Sequence, residues 1–151
     1  KGVEELGVRR VVIRTAVVLS SEGGALERLL LPFRLFVGGP LGSGSQWMSW
    51  IHMHDQVRAI RFLIENQSAS GAFNLSANAL TNNEFAAVAG KVMRRPSFLR
   101  VPAFALRLLL GEMSTVVLEG QRVSAQKLIQ LGFKFSFPDL EPALKDLLKK
   151  D

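Results

Sequence analysis

The chain has 151 residues and carries 19 lysine and arginine residues against 13 aspartate and glutamate residues. Its length allows one sizeable core or two small ones. The net charge of +6 comes from scattered basic residues without a dense basic stripe, so no nucleic-acid surface is predicted. No cysteine is present, which excludes disulfides and thiolate chemistry.

The hydropathy of the sequence excludes a membrane span, but it indicates an apolar face that this chain does not cover by itself. The richest apolar run, from Leu29 to Val37, is interrupted by Pro32 and Arg34, whereas a span needs about 18 apolar residues. The mean hydropathy of +0.20 is high, which favours a face that packs against something outside this chain. We expect a cytoplasmic location. An organelle stays open because the chain begins at Lys1, which is compatible with an upstream part.

Strands and helices alternate in the first part of the chain. A helix tail is predicted over 1–7, and the Val- and Ile-rich run 10–19 is typical of a strand buried on both faces of a parallel sheet. Short strands are predicted at 47–52 and 72–76, with a Gly- and Ser-rich loop at 38–46. The apolar period predicts two helices. The first covers 24–36 and bends at Pro32, and the second covers 55–66 with Val57, Ile60, Leu63 and Ile64 inward.

The character of the sequence changes after residue 96. Before that point Thr81 begins the clearest helix, because T-N-N-E at 81–84 is a capping box. After it we expect a short strand at 98–101 and three helices, over 102–111, 124–131 and 138–149. The change predicts a boundary between an α/β part, 1–96, and a small α-rich lobe, 97–151.

Common catalytic and metal-binding signals are missing. Gly42-Ser43-Gly44 has Trp47 in place of the third glycine of a G-x-G-x-x-G turn, and no strand leads into it. His52 and His54 would point to opposite faces of a strand, so no metal site is predicted. Asp55 is interpreted as a helix cap rather than a catalytic acid. The chain contains no tyrosine, so a tyrosine general acid must come from elsewhere and no catalytic residue is predicted here.

Several segments together resemble one family in order and spacing. They are RRVVIRTAVVLSSEGGALERLLLPFRL, GGPLGSG, QWMSWIHMHD, AFNLSANALTNNEF, LEGQRV and LGFKFSFPDLEPALKDLL. They look like the C-terminal half of the atypical, extended short-chain dehydrogenase/reductases, the NAD-dependent epimerase/dehydratase-like family. The resemblance implies an α/β fold: the C-terminal part of a Rossmann-like fold over 1–96, with a small α-rich substrate-side lobe over 97–151.

The resemblance also implies a cofactor and a set of site residues. The intact protein would bind NADP or NAD, but this chain alone would not, since the family's glycine fingerprint and Tyr-x-x-x-Lys pair lie upstream of the matching segments. Arg14 would contact the cofactor, or would only bridge packed elements. The expected walls of the substrate pocket are Gly38, Gly39, Pro40, Leu41, Gly42 and Trp47. The alternatives are a tight surface loop for the glycines and a core position for Trp47.

Two functions fit this resemblance. The first is a substrate-side fragment of an NAD(P)-dependent oxidoreductase or epimerase, inactive alone, whose partners are an N-terminal Rossmann half and a small-molecule substrate. The second is a non-catalytic interaction module with an inherited fold, because some relatives are labelled cell-division inhibitors. In either case the strand at 11–18 would lack neighbours, which predicts self-association through its open edge. Neither nucleic acid nor a membrane is an expected partner.

Overall fold

The computed structural model describes residues 7–100, 104, 108, 111 and 120–149. Residues 1–6 of the helix tail predicted over 1–7, and nearly all of the predicted helix over 102–111, lie outside the described residues. The elements are β1 Val11–Thr15, β2 Val17–Leu19, α1 Ala25–Arg34, β3 Trp47–Met48, β4 Trp50–His52, α2 Met53–Glu65, β5 Gly71–Leu75, β6 Leu80–Thr81, α3 Asn82–Met93, α4 Gln126–Gln130 and α5 Leu140–Leu147. None of these helices is long and apolar enough to cross a bilayer.

The predicted strand over 10–19 is two strands that change partners at Ala16. β1 pairs in parallel with β5, and β2 pairs in parallel with β4. The change of partner strand takes place between two consecutive residues. The N–H of Ala16 donates to the Leu75 oxygen at 3.1 Å, and the N–H of Val17 donates to the Ser49 oxygen at 3.2 Å. The parallel pairing is as predicted, and the single continuous strand is wrong. The predicted strand over 47–52 divides as well, because β3 pairs antiparallel with β6.

The expectation that this segment is buried on both faces is wrong for β1. Ile13, Arg14 and Thr15 are exposed, and only β5 pairs with β1 in the described part of the chain. The other edge of β1 therefore keeps its backbone groups free for another strand. The Gln56 amide of α2 donates to the Thr15 hydroxyl at 3.1 Å, so α2 lies against the face of β1 that carries Ile13 and Thr15.

α2 begins earlier than predicted and shows a different face to the core. His52, not Asp55, is its N-cap, because the His52 Nδ1 accepts the N–H of His54 at 3.0 Å. Leu63 is buried as predicted, but Val57 and Ile64 are 58% and 64% exposed, so their inward placement is wrong. One apolar face of α2, which carries Val57 and Ile64, is therefore not covered by the described residues.

The helices α1, α3 and α5 surround the first of two hydrophobic clusters. Thr81 caps α3 in the predicted capping box, and the Glu84 carboxylate accepts the Thr81 N–H at 2.6 Å. The apolar faces of α1 and α5 are both buried, and Pro32 lies inside α1. Glu141 of α5 accepts hydrogen bonds from Lys145 and from Lys91 of α3, both at 2.7 Å, and these lower the pKa of Glu141 to about 2.

The C-terminal elements pack into both clusters rather than around a third. The α5 residues Leu140 and Leu144 join the cluster of α1 and α3, whereas Leu128 of α4 and Phe133 join that of β4, β5 and α2. The predicted strand at 98–101 is absent over 98–100, the part that the structure describes. The boundary between Arg95 and Phe98 stays a prediction.

Candidate functional site

The glycine loop predicted to line a pocket is held tightly by the protein itself. Gly38 and Gly39 are buried, and a Cβ on Gly39 would collide with the backbone oxygen of Leu99. The N–H of Leu41 donates to the Asn82 side-chain oxygen at 2.6 Å. At Gly39 the space that a side chain would need is therefore occupied by the backbone of Leu99, not by a ligand. The pocket role of this loop, including the half-buried Pro40 and Gly42, stays a prediction.

An open cleft of about 550 Å³ lies just beyond the carboxyl end of β5. In open α/β sheets ligands bind outside the carboxyl ends of the strands, so this position is the one expected for a binding site. The loop after β5 forms one wall, and the segment that leads into α4 forms the other. The lining residues are Ser76, Ala77, Asn78, Ala79, Arg122, Val123, Ser124, Ala125, Gln126, Ile129 and Phe135.

Arg122 brings a positive charge to the cleft and rests on Trp47. Its guanidinium carbon lies 4.6 Å from the centre of the Trp47 ring, within the range of a cation–π contact. Gly120 makes this approach possible, since a Cβ there would collide with the Trp47 backbone oxygen. Trp47 does not itself line the cleft, but it supports the side chain that does.

Hydrogen bonds to β5 and to the β3–β4 junction fix the wall that contains Arg122. The Ser49 hydroxyl donates to the Gln121 oxygen at 2.6 Å and accepts the N–H of Val123 at 2.9 Å. The side-chain amide of Asn74, in β5, donates to the Ser124 oxygen at 3.0 Å. The backbone on both sides of Arg122 is therefore anchored.

The opposite wall is equally well held. The Trp50 indole donates to the Asn78 oxygen at 3.0 Å, and the Ala77 N–H donates to the Trp50 oxygen at 2.7 Å. The Asn78 side-chain amide donates to Asp139 at 2.9 Å, which joins this loop to the start of α5. The cleft is thus a preformed feature between two anchored segments.

Arg14 lies one strand away from the cleft. Arg14 is the register partner of Asn74 in the β1–β5 ladder, and paired residues of adjacent strands point to the same face. The Asn74 side chain holds the cleft wall at Ser124, so Arg14 faces the same side of the sheet at a strand spacing of about 4.8 Å. Arg14 is exposed and has no hydrogen bond or ion pair with the described residues. It is available to an anionic ligand.

His52 and Asp55 have structural roles at the start of α2. His52 is buried, stacks on Phe137 with ring centres 4.1 Å apart, and places its Nε2 at 3.3 Å from an Asp146 oxygen. Burial lowers the pKa of His52, although the carboxylates of Asp146 and Asp55 oppose this effect. His52 therefore organises the strand-to-helix turn that begins α2. Within the described residues no cluster of His, Asp or Glu could hold a metal ion.

Asp55 is neither the predicted cap nor a group open to substrate. It is fully buried and accepts the N–H groups of Ser136 and Phe137 at 2.9 and 2.8 Å. It also accepts a hydrogen bond from Arg58 at 2.8 Å. Asp55 therefore ties α2 to the segment before α5, a long-range contact that its sequence position does not reveal.

Arg122 was absent from the predicted site residues. The stretch LEGQRV contains Arg122, but the resemblance assigns this residue no role. The available signal was a glycine two residues before an arginine, in a segment whose one other charged residue is Glu119. That signal is weak without knowledge that Gly120 meets Trp47.

Comparison with known proteins relates nearly the whole chain to epimerase family proteins. Residues 101–147 match a domain of unknown function, DUF1731. An epimerase family protein of Staphylococcus aureus is 49% identical over 148 residues, which cover 97% of this chain and 49% of the relative. The chain spans about half the length of the curated relatives it matches.

Solved structures show the same relationship. The human epimerase family protein SDR39U1, crystallised with NADPH, is 38% identical, with a TM-score of 0.84 over 93% of this chain and 48% of that one. A nucleoside-diphosphate sugar epimerase from Corynebacterium glutamicum is 27% identical, with a TM-score of 0.71 over 96% of this chain and 27% of that one. The predicted α/β, Rossmann-like fold and the resemblance to the C-terminal part of the family are confirmed.

Proposed function

We propose that this chain, which corresponds to the C-terminal part of epimerase-family proteins, forms the substrate-side part of an NAD(P)-dependent oxidoreductase or epimerase. The observation that carries the proposal is the arrangement of the cleft and Arg14 on one face of the β1–β5 ladder. A substrate in the cleft and a cofactor phosphate at Arg14 would then lie side by side. The chain has no tyrosine, so proton transfer by such a residue requires another part of the protein.

The open face of β1 and α2 is the proposed seat of the N-terminal Rossmann half. β1 has one unpaired edge in the described structure, and Ile13 beside it is 37% exposed. On α2, Val57 and Ile64 are exposed at a spacing of seven residues, two helical turns apart on one side. A strand added to β1 and a helix packed on α2 would cover these apolar groups.

Arg14 is the residue of this chain proposed to hold the cofactor. A guanidinium suits a phosphate because it donates two parallel hydrogen bonds, and Arg14 has no partner in the described residues. The nicotinamide cofactor, when bound, supplies or accepts a hydride. The human relative was crystallised with NADPH, which supports NADP as the cofactor of the intact protein.

The cleft is the proposed substrate site. In this account its anchored walls orient a small molecule and exclude water from one side of it. The side chains that line it, Ser76, Asn78, Ser124, Gln126 and Arg122, offer hydrogen bonds but no general acid or base that titrates near neutral pH. The chain's part in the reaction would therefore be binding and orientation.

A non-catalytic interaction module is the second candidate. It is favoured by the same absence of a titrating acid or base among the described lining residues. The two candidates differ in whether the assembled protein binds a cofactor beside the cleft.

A chimera tests the proposal. The segment of the human relative that matches this chain is replaced by residues 1–151, and NADPH affinity is measured by calorimetry beside the unmodified human protein. We expect the chimera to bind NADPH within about tenfold of its parent, a difference of about 1.4 kcal/mol. Arg14→Gln should weaken binding, whereas Arg34→Gln, an exposed α1 variant of equal charge change, should not. A folded chimera without NADPH binding would favour the interaction module.

A further inference from the structure

We infer that the cleft beyond β5 binds an anionic group of the substrate, a phosphate or a carboxylate, through Arg122. The inference rests on the proposed function in assigning this anion to the substrate. The anion site itself, however, consists only of residues of this chain, so it can be examined without a cofactor.

The charge of the cleft is unopposed. Arg122 is the one charged side chain among the described lining residues, and all the other lining residues are neutral. No carboxylate in the described structure forms a hydrogen bond or an ion pair with Arg122. Its guanidinium can therefore form charge-assisted hydrogen bonds with a ligand without breaking an existing ion pair.

The orientation of Arg122 is set before a ligand arrives. The Trp47 ring supports one face of the guanidinium at 4.6 Å, which leaves the N–H groups at its edge for a ligand. The Ser49 hydroxyl fixes the backbone on both sides through Gln121 and Val123. Such preorganisation lowers the entropy lost on binding, and a lysine lacks the planar guanidinium that lies over the ring.

Two of the other side-chain donors in the cleft are already engaged. The Ser76 hydroxyl donates to the Ala77 oxygen at 3.0 Å, and the Asn78 amide donates to Asp139 at 2.9 Å. The Gln126 side chain has no partner among the described residues. The side chains of Arg122, Ser124 and Gln126 are therefore the donors of this lining that stay free for a ligand, and they lie close together in sequence where the anchored wall meets α4.

An NMR titration of the chain with inorganic phosphate tests the inference, with malonate as a separate carboxylate arm. Potassium chloride keeps the ionic strength constant, since exposed charges respond to salt alone. The reporter is the indole N–H of Trp47. The backbone amides of α1, a helix that contributes no residue to the described lining of the cleft, are an internal control. We expect a saturable shift of the Trp47 signal with one of the anions. The anion that binds more tightly shows whether the site takes a phosphate or a carboxylate.

Variants connect the signal to Arg122. Arg122→Gln should weaken binding about tenfold or more, because it removes charge-assisted hydrogen bonds, while Arg61→Gln on the exposed face of α2 should leave it unchanged. Arg122→Lys should bind more weakly than the wild type, and equal binding would overturn the orienting role of Trp47.

Two results would overturn the anion site. The first is no saturable shift with either anion, or the same shift in Arg122→Gln. The second is a response lost in Arg14→Gln but kept in Arg122→Gln, which would move the anion to the position proposed for the cofactor. A chimera that fails to bind NADPH would leave these titrations unchanged, so the failure of the proposed function is distinguishable.

Discussion

The carboxylate of Asp55 is fully buried and accepts the backbone N–H of Phe137 at 2.8 Å, a contact that joins the start of α2 to the segment before α5. The neighbouring N–H of Ser136 and the guanidinium of Arg58 donate to the same carboxylate. This one side chain therefore holds together parts of the chain more than 80 residues apart.

Asp55→Ala should destabilise the chain severely. The change leaves two backbone N–H groups without an acceptor and removes one hydrogen bond of the Arg58 guanidinium, which costs about 3 kcal/mol or more of the free energy of unfolding. Urea denaturation followed by circular dichroism measures the loss. The matched control is Glu65→Ala, which removes an exposed carboxylate of α2 paired with Arg61, and it should stay within about 1 kcal/mol of the wild type. Equal losses in the two variants would contradict the assigned role of Asp55.

His52 should make stability depend on pH below neutrality. Burial lowers the pKa of His52 from 6.5, so between its folded and unfolded pKa values the unfolded state binds more protons. The stabilisation is therefore complete above pH 6.5 and is lost as the pH falls towards the folded pKa. The imidazole signal of His52, followed by NMR, should give a midpoint below 6.5. A midpoint at or above that value would contradict the assignment.

The same argument predicts the behaviour of a variant. His52→Gln should flatten the dependence of the unfolding free energy on pH between about 6.5 and the folded pKa of His52. The carboxylates with lowered pKa values, Glu84 and Glu141, lose their contribution only as the pH falls below their ordinary value of 4.5. They therefore do not obscure the comparison at pH 6 to 7.

Ser49→Ala should loosen the wall that carries Arg122. The variant removes the acceptor of the Val123 N–H and the donor to the Gln121 oxygen. The expected loss in the free energy of unfolding is about 1–2 kcal/mol. Amide hydrogen exchange at Val123 should become faster, and anion binding at Arg122 should weaken without any change of charge. Ser43→Ala, in the exposed loop before β3, is the control and should leave both measurements unchanged. Unaltered exchange in Ser49→Ala would contradict this anchoring.

The open edge of β1 should promote self-association of the chain. Ile13 and the unpaired backbone of β1 are exposed together, and such an edge pairs with a second strand when nothing covers it. Sedimentation velocity should show a mass that rises with concentration. Ile13→Lys should reduce this association because a charge on an edge strand opposes pairing. A monomer at every concentration, with no binding of a hydrophobic dye, would count against an exposed apolar edge.

Local patterns in the sequence predicted most of the elements. The capping box at Thr81, the apolar stripe of α5 and the Val- and Ile-rich strands are visible because they depend on neighbouring residues. The errors fall where the partner is distant. Val57 and Ile64 have the period of an inward face, but within this chain nothing in the described structure covers them.

The candidate site was less accessible from the sequence than the fold. Arg14 could be proposed from the resemblance, because it lies in a strongly patterned strand. The importance of Arg122 depends on its stacking with Trp47, 75 positions away in the chain, and no local pattern records that contact. The role of Asp55 was misread for the same reason, since its partners Ser136 and Phe137 are fixed by tertiary packing.

The most direct test of the central claim is a calorimetric titration of NADPH into the 151-residue chain alone, beside the chimera that contains it. If the chain is the substrate-side part of a divided cofactor site, the chain alone should show no saturable heat. The chimera should then bind NADPH, and it should lose affinity on Arg14→Gln. Tight NADPH binding by the isolated chain would contradict the claim, because it would require a complete cofactor site within residues 1–151.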